Sequence, residues 1–493
     1  MIITTLSPWL KDRGWLDQIE QTAPFCDLFE LRWDLLPSEN REQMASLMKK
    51  GTKRFLLTLR SVAHGGYYQG SEQERMALLL ELAKLGPAYL DLESDLPAEF
   101  FAKIAQEYPA VKLIASHHDY KRVPEELDQL LQSMLRPAVA FYKIAALATT
   151  TVEALRLMSW AKQAADSWPL CVIAMGEPGS VSRCSAAALG CRATYGCVES
   201  GEPLVSGQLP VEWLDRRYRL RQQSKTTQLF GLIGDPVVHS LSDRSHNRAY
   251  RELGLDGLYL KMQLTADQLP LFFQRAKELS FMGLSVTMPL KEALFPYLDE
   301  VSDQARAIGA VNTLSWEAGR LFGTNTDGKG ALEAIERQEK VAGKRLLLLG
   351  SGGAARAIGY EAKARGAAVW IVSRRREKAE EVAQELGLEG GVAVEDLPKL
   401  LKYHPYQFLV NATPHPLPID EAELLAGSVV MEVKTRPKET ALLRLAKQRG
   451  CRCVYGYEMF VAQAVEQFAL WFPKVDRLQL EELLASECLS ALC

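Results

Sequence analysis

The first half of the chain alternates strand-length apolar runs with segments of helical periodicity, which limits the folds that it can adopt. Segments 72–84, 124–135 and 152–165 have the apolar spacing of amphipathic helices. The strand candidates are eight apolar runs, at residues 2–6, 26–33, 54–60, 88–93, 111–118, 140–147, 170–176 and 192–198. Eight strands, each followed by a helix, predict a closed (β/α)8 barrel. An open, doubly wound parallel sheet has the same alternation and is the alternative.

The second half begins after a polar and charged segment at residues 216–228, and a new apolar strand starts at Leu229. A chain of 493 residues also exceeds the size of one ordinary core, so two or three domains are expected. We therefore predict an α/β protein with a barrel over residues 1–222. An α/β domain would follow over 229–335, completed by helices in 457–493, with a Rossmann nucleotide-binding domain over 336–456.

A dinucleotide fingerprint opens the nucleotide-binding part. Residues 345–349 form an apolar strand, and the next six read Gly-Ser-Gly-Gly-Ala-Ala, the Gly-x-Gly-x-x-Ala form of the motif. Its glycines let the backbone approach a pyrophosphate at a helix N-terminus. The candidate cofactor residues here are Gly350, Ser351, Gly352, Gly353 and Ala354. A tight strand–helix turn without a ligand is the alternative.

The following strand, at residues 368–373, ends where an NAD site places an acidic residue on the ribose. The chain has Ser373, Arg374, Arg375 and Lys378 at or just after this point. Guanidinium groups suit a 2′-phosphate, so the sequence favours NADP(H) over NAD. A solvated basic helix start is the alternative.

Composition excludes several classes of protein. The formal net charge of −3 argues against a nucleic-acid or membrane-surface binder, and the apolar runs are too short to span a membrane. The N-terminus has neither a signal-peptide nor a transit-segment pattern. Nine cysteines without a Cys-x-x-Cys pair fit reduced thiols in a cytosol, and we expect no metal site.

Loops in the second half carry one lysine and one aspartate among glycines and short polar residues. They are 281–291, 309–313 and 325–328, with Lys291 and Asp327 as the proton-handling pair. A lysine ammonium can stabilise the charge that develops on a ketone oxygen and donate the proton, while a carboxylate orients it. A surface salt bridge is the structural alternative.

Residues 229–472 resemble shikimate dehydrogenase, through the loops above, the segment 234–247 and the late motif 456–463. The resemblance implies that Lys291 and Asp327 are catalytic and that the substrate is shikimate or dehydroshikimate. It further implies that Val433, Gly456 and Asn411 lie near the cofactor. The substrate-binding residues that it implies are Ser240, Ser242, Thr287, Lys291, Asn312, Asp327, Thr435 and Gln463.

Residues 1 to about 215 resemble type I 3-dehydroquinate dehydratase. The motifs are Glu30-Leu-Arg-Trp-Asp34, Thr58-Leu-Arg60, Ser116-His-His-Asp119, Tyr142-Lys-Ile-Ala145, Met175-Gly176 and Ser182-Arg183. Each lies at or near the end of a predicted strand, where barrels of this type keep their catalytic groups. The resemblance implies that Lys143 forms a Schiff base, His118 transfers protons, Arg183 and Arg60 clamp the substrate, and Glu30, Arg32 and Gln208 assist.

A lysine pointing into a barrel is costly to keep charged, which favours the neutral, nucleophilic amine of Lys143. A simple ion pair with Glu30 is the alternative. Without the family resemblance, His118 would be interpreted as a capping or core histidine.

The chain departs from both family patterns. His64 stands where the dehydratases usually have Glu, and Leu204 stands where they have a lid serine. In the second half Ser285 replaces Asn and Thr435 replaces Tyr, while Glu432 replaces the more usual Asp. These changes bear on rates and on the choice between shikimate and quinate.

Together the two resemblances imply a bifunctional enzyme that dehydrates 3-dehydroquinate and then reduces 3-dehydroshikimate with NADPH. Three alternatives stay open: a preference of the second half for quinate, an inactive first half, or a non-catalytic regulatory homologue. The expected partners are the small-molecule substrates, with no nucleic acid and no membrane. We expect a bacterial cytoplasmic protein, or, second, a mature plastid form.

Overall fold

The structure is a computed structural model that describes residues 1–7, 14–49, 54–199 and 204–492. It contains two compact units. The first comprises Met1–Leu229, Asp256–Leu264 and Gln268–Ser280, and the second comprises Phe230–Leu255, Thr265–Asp267 and Phe281–Cys493. None of the helices in the described chain is long and apolar enough to cross a membrane.

Eight parallel strands form the sheet of the first unit, in the order β7-β6-β5-β4-β3-β2-β1-β8 when numbered along the chain. They are β1 (Ile2–Thr5), β2 (Leu28–Arg32), β3 (Phe55–Thr58), β4 (Tyr89–Glu93), β5 (Lys112–Asp119), β6 (Val139–Leu147), β7 (Leu170–Met175) and β8 (Thr194–Cys197). The first strand pairs with both β2 and β8, and β7 and β8, at the two ends of the order, contact each other, so the sheet curls on itself and is nearly closed. The barrel prediction is therefore confirmed.

Helices separate these strands. They are α1 (Trp15–Thr22), α2 (Ser38–Lys49), α3 (Glu72–Lys84), α4 (Ala98–Glu107), α5 (Leu127–Met134), α6 (Thr151–Ala164) and α7 (Ser180–Cys184). Capping boxes fix the starts of two of them: Ser71 with Glu74 before α3, and Thr150 with Glu153 before α6. After β8 the described chain has a π-helix, Trp213–Arg217.

The alternation of side chains along the strands determines where polar residues collect in the barrel. Side chains at every second position point into a barrel, so one strand contributes both packing and polar residues to the interior. On β6, Phe141 and Ala145 belong to the interior apolar cluster, and Lys143 lies between them at the same parity. On β1 and β2 the clustered Ile3 and Leu28 are each followed two residues later by a polar side chain. Apolar residues therefore fill the lower barrel, and polar residues gather at the carboxyl ends of its strands.

In the second unit, the strands β9, β11, β13, β14 and β12 follow one another in a sheet in that order. They are β9 (Gln228–Gly234), β11 (Phe281–Val286), β12 (Glu300–Val301), β13 (Thr313–Glu317) and β14 (Arg320–Thr324), with the helices α8 (Ser242–Glu252), α10 (Asp303–Ile308) and α11 (Asp327–Glu336). The strand β10 (Gly257–Gln263) and the helix α9 (Leu269–Leu279) belong to the first unit.

A third, parallel sheet has the order β17-β16-β15-β18-β19-β20, the Rossmann arrangement 3-2-1-4-5-6. Its strands are β15 (Arg345–Leu349), β16 (Ala368–Ser373), β17 (Gly390–Ala393), β18 (Phe408–Asn411), β19 (Val429–Glu432) and β20 (Arg452–Val454). The helices are α12 (Gly353–Ala364), α13 (Arg376–Leu386), α14 (Leu397–Tyr403) and α15 (Ala441–Gln448), followed by α16 (Gly456–Trp471) and α17 (Arg477–Leu492). Helix α16 packs on α11, and α17 packs on α16 and α8, within the second unit.

Candidate active sites

A cavity lies at the carboxyl ends of the barrel strands, and we call it the barrel cavity. It brings together all seven residues predicted for the first half, namely Lys143, His118, Glu30, Arg32, Arg60, Arg183 and Gln208. Its other lining residues are Thr5, Tyr120, Ala145, Ile173, Met175, Tyr195, Leu204 and Val205. The roles assigned to the seven remain predictions.

Lys143 is buried between two carboxylates. Its Nζ atom lies 3.5 Å from Oδ2 of Asp91 and 3.8 Å from Oε1 of Glu30. The same atom is 3.9 Å from the centroid of the Tyr195 ring, within the range of a cation–π contact. The ion pair with Glu30 that the sequence left open is therefore present, and a second carboxylate accompanies it.

Asp91 is a residue that the sequence reasoning missed. Its Oδ1 atom accepts hydrogen bonds from Arg60 at 3.0 Å and from Ser116 at 2.6 Å. Burial alone would raise the pKa of the Asp91 carboxyl, but the charges of Arg60 and Lys143 and the Ser116 hydrogen bond hold it below its usual value. The sequence feature that could have identified Asp91 is a carboxylate inside an otherwise apolar strand, at residues 89–93.

The three cavity arginines differ in their partners. Arg32 forms a bidentate pair with Asp34, and Arg60 pairs with Asp91 and with Glu93. The Arg183 guanidinium donates to two backbone carbonyls, those of Gly207 at 2.9 Å and Tyr195 at 3.3 Å. No carboxylate of the described chain lies in ion-pair range of it, and burial lowers its pKa to about 10. Arg183 is thus a buried cation available to an anionic ligand.

Glu30 and Gln208 belong to one hydrogen-bonded group. Glu30 accepts from the hydroxyls of Thr5 at 2.7 Å and Thr58 at 2.9 Å. The Gln208 amide donates to the Thr5 hydroxyl at 3.3 Å. The side chains of β1, β2 and β3 therefore hold the Glu30 carboxylate facing Lys143.

His118 lies near the end of β5, within the same cavity. Burial lowers the pKa of its imidazole well below the usual 6.5, and the charges of Arg60 and Lys143 lower it further. The imidazole is therefore neutral at physiological pH, which is the form that accepts a proton.

A second cavity lies in the second unit, and we call it the C-terminal cavity. It is lined by all eight residues predicted to bind shikimate: Ser240, Ser242, Thr287, Lys291, Asn312, Asp327, Thr435 and Gln463. Other lining residues are Leu232, Pro236, His239, Ser285, Val286, Ala354, Val433, Gly456, Met459, Phe460 and Gln467. Residues widely separated in sequence converge here, and their roles also remain predictions.

Lys291 and Asp327 form an ion pair in the C-terminal cavity. Asn312 donates from Nδ2 to the other carboxylate oxygen of Asp327, at 2.7 Å. The backbone N–H of Asp327 donates to Asn325 at 3.0 Å, at the start of α11. Asn312 is fixed in turn, since its Oδ1 atom accepts from the Thr326 backbone at 2.8 Å. The carboxylate thus has a fixed orientation and holds the lysine ammonium at the cavity.

Neutral donors line another part of this cavity. The hydroxyls of Ser240 and Ser242 lie 2.8 Å apart in a hydrogen bond. Gln463 accepts from Thr326 at 3.4 Å through its Oε1 atom. Hydroxyl and amide groups of this kind suit a small polyhydroxylated ligand.

The predicted cofactor residues divide into two groups. Ala354, Val433 and Gly456 line the C-terminal cavity. The others lie outside its lining: Gly350, Ser351, Gly352 and Gly353 at the fingerprint, Ser373, Arg374 and Arg375 at or just after the end of β16, Lys378 in the first turn of α13, and Asn411 at the end of β18. Asn411 is fully buried and donates to Glu432 at 3.0 Å and to the His415 carbonyl at 3.2 Å.

Comparisons with known proteins match both halves. The family model for type I 3-dehydroquinase matches residues 11–225, and that for the shikimate dehydrogenase substrate binding domain matches residues 232–314. A bifunctional 3-dehydroquinate dehydratase/shikimate dehydrogenase, chloroplastic, of Arabidopsis thaliana is 34% identical over 474 residues, which cover 90% of this chain and 77% of that protein. The chain belongs to the bifunctional dehydratase/dehydrogenase family.

Relatives of this family include bacterial proteins. The shikimate biosynthesis protein AroDE of Chlamydia pneumoniae is 31% identical over 457 residues, which cover 92% of each chain. A crystal structure of a shikimate dehydrogenase in complex with NADP+ has 30% identity and a TM-score of 0.51. It covers 55% of this chain and 98% of that one.

The residues at which this family member departs from the usual pattern have definite surroundings. Leu204 lines the barrel cavity, where its side chain offers no hydrogen bond. Ser285 donates to Gln467 at 2.8 Å, and the Gln467 amide donates to Thr313 at 3.0 Å. Thr435 lines the C-terminal cavity. Glu432 is fully buried, and burial raises the pKa of its carboxyl.

Proposed function

We propose that the chain catalyses two consecutive reactions of the shikimate pathway. The barrel cavity dehydrates 3-dehydroquinate to 3-dehydroshikimate, and the C-terminal cavity reduces 3-dehydroshikimate to shikimate with NADPH. The observation that carries this proposal is one amine in each cavity, each beside a carboxylate: Lys143 beside Asp91 and Glu30, and Lys291 beside Asp327. The product of the first reaction is the substrate of the second.

In the barrel cavity Lys143 acts as the nucleophile. After its ammonium has lost a proton, Nζ attacks the ketone carbon, and loss of one water gives an iminium. The iminium draws electron density from the neighbouring carbon, so His118 can remove a proton there and leave an enamine. The enamine expels the hydroxyl, which leaves as water with the proton that His118 returns. Water then adds to the iminium and frees Lys143, for a net loss of one water.

Arg183 is our candidate for the substrate carboxylate. It is a buried cation without a carboxylate partner in the described chain, and it lines the same cavity as Lys143. An anion that pairs with it removes the cost of an uncompensated buried charge. Arg60 already pairs with Asp91 and Glu93, so we assign it mainly to holding Asp91 near Lys143.

The β15–α12 turn fits a dinucleotide. The space within 4 Å of a side chain built at Gly352 is open, and α12 begins at Gly353, so its first N–H groups face that space. Gly350 has φ +115°, a conformation that favours glycine. The turn lies between β15 and β18, where the strand order reverses and ligands bind in such sheets.

The end of β16 fits a 2′-phosphate. Arg374 and Arg375 are exposed, and no carboxylate of the described chain lies in ion-pair range of either. Their neighbours are paired, Arg376 with Asp396 and Lys378 with Glu381. We therefore propose NADP(H) as the cofactor, held by Arg374 and Arg375 with Ser373 and Lys378 near the ribose. No step of the reaction scheme requires a metal.

In the C-terminal cavity Lys291 acts as the acid. NADPH, when bound, supplies a hydride to the ketone carbon. As negative charge develops on the ketone oxygen, the Lys291 ammonium stabilises it and donates a proton. Asp327, fixed by Asn312, keeps the ammonium oriented. Ser240 and Ser242 provide neutral hydrogen-bond donors for the substrate carboxylate.

We further propose the domain limits 1–222, 229–335 with 457–493, and 336–456, and a bacterial cytoplasmic location. The eight cysteines of the described chain are free thiols, which supports a reducing compartment. Cys493 lies outside the described residues.

Rates with quinate and with shikimate at equal NADP+ concentration decide the substrate preference that Thr435 leaves open.

Paired lysine variants test the assignment. Lys143→Ala should abolish water loss from dehydroquinate and leave NADPH oxidation by dehydroshikimate unchanged. Lys291→Ala should do the reverse. Each variant is the folding control of the other, because both activities are measured on one polypeptide. Loss of both activities in either variant, or of neither, contradicts the division of labour.

A further inference from the structure

Tyr195 on β8 is a buried aromatic residue that lines the barrel cavity and takes no part in the proton transfers proposed there. Its side chain belongs to the interior apolar cluster, with Phe141 and Ala145 of β6. Lys143 lies between those two residues, and its Nζ atom is 3.9 Å from the centroid of the Tyr195 ring. The Tyr195 backbone carbonyl accepts a hydrogen bond from Arg183 at 3.3 Å, which fixes β8 against the cavity arginine. The ring is therefore held next to the atom that we assign as the nucleophile.

The hydroxyl of Tyr195 does not explain the position of this residue. Its oxygen is buried and has no hydrogen bond to any described residue. Burial raises the pKa of the phenol well above its usual 10, and Glu30, Cys171 and Asp91 raise it further, against the opposing charge of Arg60. The side chain is therefore neutral at physiological pH, and it presents an aromatic face to the amine and not an anionic oxygen.

Three groups surround the Nζ atom of Lys143, and they respond differently when it becomes bonded to substrate. Oδ2 of Asp91 lies 3.5 Å away and Oε1 of Glu30 lies 3.8 Å away, and both carboxylates interact with the three N–H groups of an ammonium. An iminium keeps a single N–H, so one of the two carboxylates loses the N–H group that faces it. The Tyr195 ring attracts the positive charge itself and needs no N–H donor, so its interaction persists in the iminium.

The charge on Nζ changes twice while the iminium forms. The ammonium gives up a proton before the amine attacks the ketone, and the carbinolamine that results is neutral. Its hydroxyl then leaves as water with that proton, while the nitrogen lone pair forms the C=N bond and leaves a positive charge on nitrogen. A ring face fixed against Nζ favours the charged stages over the neutral ones, and it does so without rearranging.

We propose that Tyr195 is a further catalytic residue of the barrel cavity, whose aromatic face stabilises the positive charge of the Lys143 iminium by a cation–π interaction. This inference rests on the proposed dehydratase function, because the iminium belongs to that reaction. Unlike the carboxylates of Asp91 and Glu30, the ring does not accept the iminium proton, so it stabilises the charge without neutralising it. No motif of the sequence identified Tyr195.

The ring should matter most at alkaline pH. In acid the free enzyme carries an ammonium, and the ring stabilises both this ammonium and the iminium, so its removal changes the amount of iminium little. At alkaline pH the free enzyme carries a neutral amine, and the iminium alone is stabilised by the ring. The other charged or titratable groups around the amine stay the same in every variant of position 195. They are Glu30, Arg60, Asp91, His118, Cys171 and Arg183.

The test compares the full chain carrying Tyr195→Phe with the full chain carrying pentafluorophenylalanine at position 195. The two side chains have nearly the same shape, but fluorine withdraws the electron density that makes the ring face attractive to a cation. Each protein is incubated with sub-saturating dehydroquinate in the absence of NADPH and is then reduced with borohydride. The labelled fraction of Lys143, relative to the wild type at the same pH, is measured from mildly acidic to alkaline pH.

Tyr195→Phe is the matched control, because it keeps the aromatic face and removes only an unpaired hydroxyl. Its labelled fraction should stay within about 2-fold of the wild type at every pH. The pentafluorophenylalanine protein should match it in acid and be labelled about 2- to 30-fold less at alkaline pH, the factor that a cation–π interaction of ordinary strength supplies.

Tyr195→Leu removes the ring and keeps an apolar side chain, so its labelled fraction should also fall as the pH rises. Hydrogen–deuterium exchange of peptides covering β1 and β8 reports whether the barrel is intact in each variant, since these strands pair with each other. NADPH oxidation by dehydroshikimate on the same samples reports the rest of the chain and should be unchanged.

Equal labelling of the phenylalanine and pentafluorophenylalanine proteins at alkaline pH overturns the inference and leaves the dehydratase function intact. A deficit of the same size at every pH also overturns it, because a merely structural loss does not depend on the charge of the free amine. Absence of a labelled lysine in the wild type overturns both the inference and the proposed dehydratase mechanism.

Discussion

The Nζ atom of Lys143 lies 3.5 Å from Oδ2 of Asp91, a carboxylate whose other oxygen accepts a hydrogen bond from Arg60. Asp91 is buried, and so are both cations. One carboxylate therefore compensates two charges that the barrel interior would otherwise leave partly unpaired. Its removal should affect stability as well as catalysis.

Asp91→Asn should lower the free energy of unfolding of the barrel unit by about 3–5 kcal/mol, the usual cost of breaking a buried ion pair on one side. Hydrogen–deuterium exchange of peptides covering β3 to β5 measures this, because a whole-chain melt mixes two compact units. The control is Glu72→Gln. Glu72 also pairs with a buried arginine, Arg75, but its own side chain is about half exposed, so the loss should stay below about 1 kcal/mol. Equal effects of the two substitutions contradict the prediction.

The lowered pKa of Asp91 predicts that the stability of the barrel unit depends on pH. The pKa of this carboxyl is below the usual 3.8 in the folded protein, so the unfolded chain binds the proton more tightly. The stability that it contributes is fully present above about pH 4 and is lost as the pH falls through the folded value. Exchange protection of wild type and Asp91→Asn should therefore differ most at neutral pH and converge in acid. A gap that stays constant down to pH 2 argues against this.

Arg183→Met should act in the opposite sense on stability. The Arg183 cation is buried without a carboxylate partner in the described chain, so an apolar side chain of similar length should leave the barrel as stable or more stable. The KM for dehydroquinate should rise about 10- to 100-fold, from loss of a charged hydrogen-bond donor to the carboxylate. Steady-state kinetics and exchange protection on one preparation separate the two effects. An unchanged KM removes Arg183 from the substrate site.

Asp327→Asn should reduce kcat for dehydroshikimate reduction about 100-fold, because the Lys291 ammonium loses the charge that orients it. The control is Lys329→Ala, two residues further along α11. Lys329 pairs with Glu466 at 2.7 Å on the partly exposed side of that helix and does not line the C-terminal cavity. Its activity should be that of the wild type. A similar loss in both variants would indicate damage to α11 and not to the lysine–aspartate pair.

The double variant Arg374→Ala/Arg375→Ala should raise the KM for NADPH about 10- to 100-fold and leave the KM for NADH within about 3-fold. Arg376→Ala is the control, since Arg376 already pairs with Asp396 and is not free for a phosphate. The ratio of the two cofactors' kcat/KM values is the measurement. A parallel rise for NADPH and NADH shows that these arginines do not read the 2′-phosphate.

Local sequence signals were enough to predict where the helices and strands lie. The predicted helix at 72–84 agrees with α3, because Ser71 and Glu74 fix its start, and the strand at 368–373 agrees with β16. Strand ends were less accurate. The run at 26–33 was predicted two residues too long at its start and one at its end, because apolar residues continue past the hydrogen-bonded part of β2. The helix predicted from residue 124 begins at Leu127.

The site was predictable where a family motif identified a residue, as for Lys143 in the middle of β6 and His118 near the end of β5. Asp91 and Tyr195 were missed because their contacts with Lys143 depend on the register of neighbouring strands in a closed barrel. The hydrogen bond from Ser285 to Gln467 joins residues 182 positions apart, and no local pattern reports it. The pairing of Arg60 with Asp91 and Glu93 likewise follows from packing, which the sequence does not show. Because Arg60 is paired, Arg183 is the cavity arginine that we assign to the substrate carboxylate.

The most direct test of the two-amine account is borohydride trapping. The wild-type chain is incubated with dehydroquinate, reduced with sodium borohydride and digested, and the modified lysine is located by mass spectrometry. The account predicts a substrate-derived mass on Lys143 and none on Lys291, since the first amine forms a covalent iminium and the second does not. Absence of label, or label on any lysine other than Lys143, contradicts it.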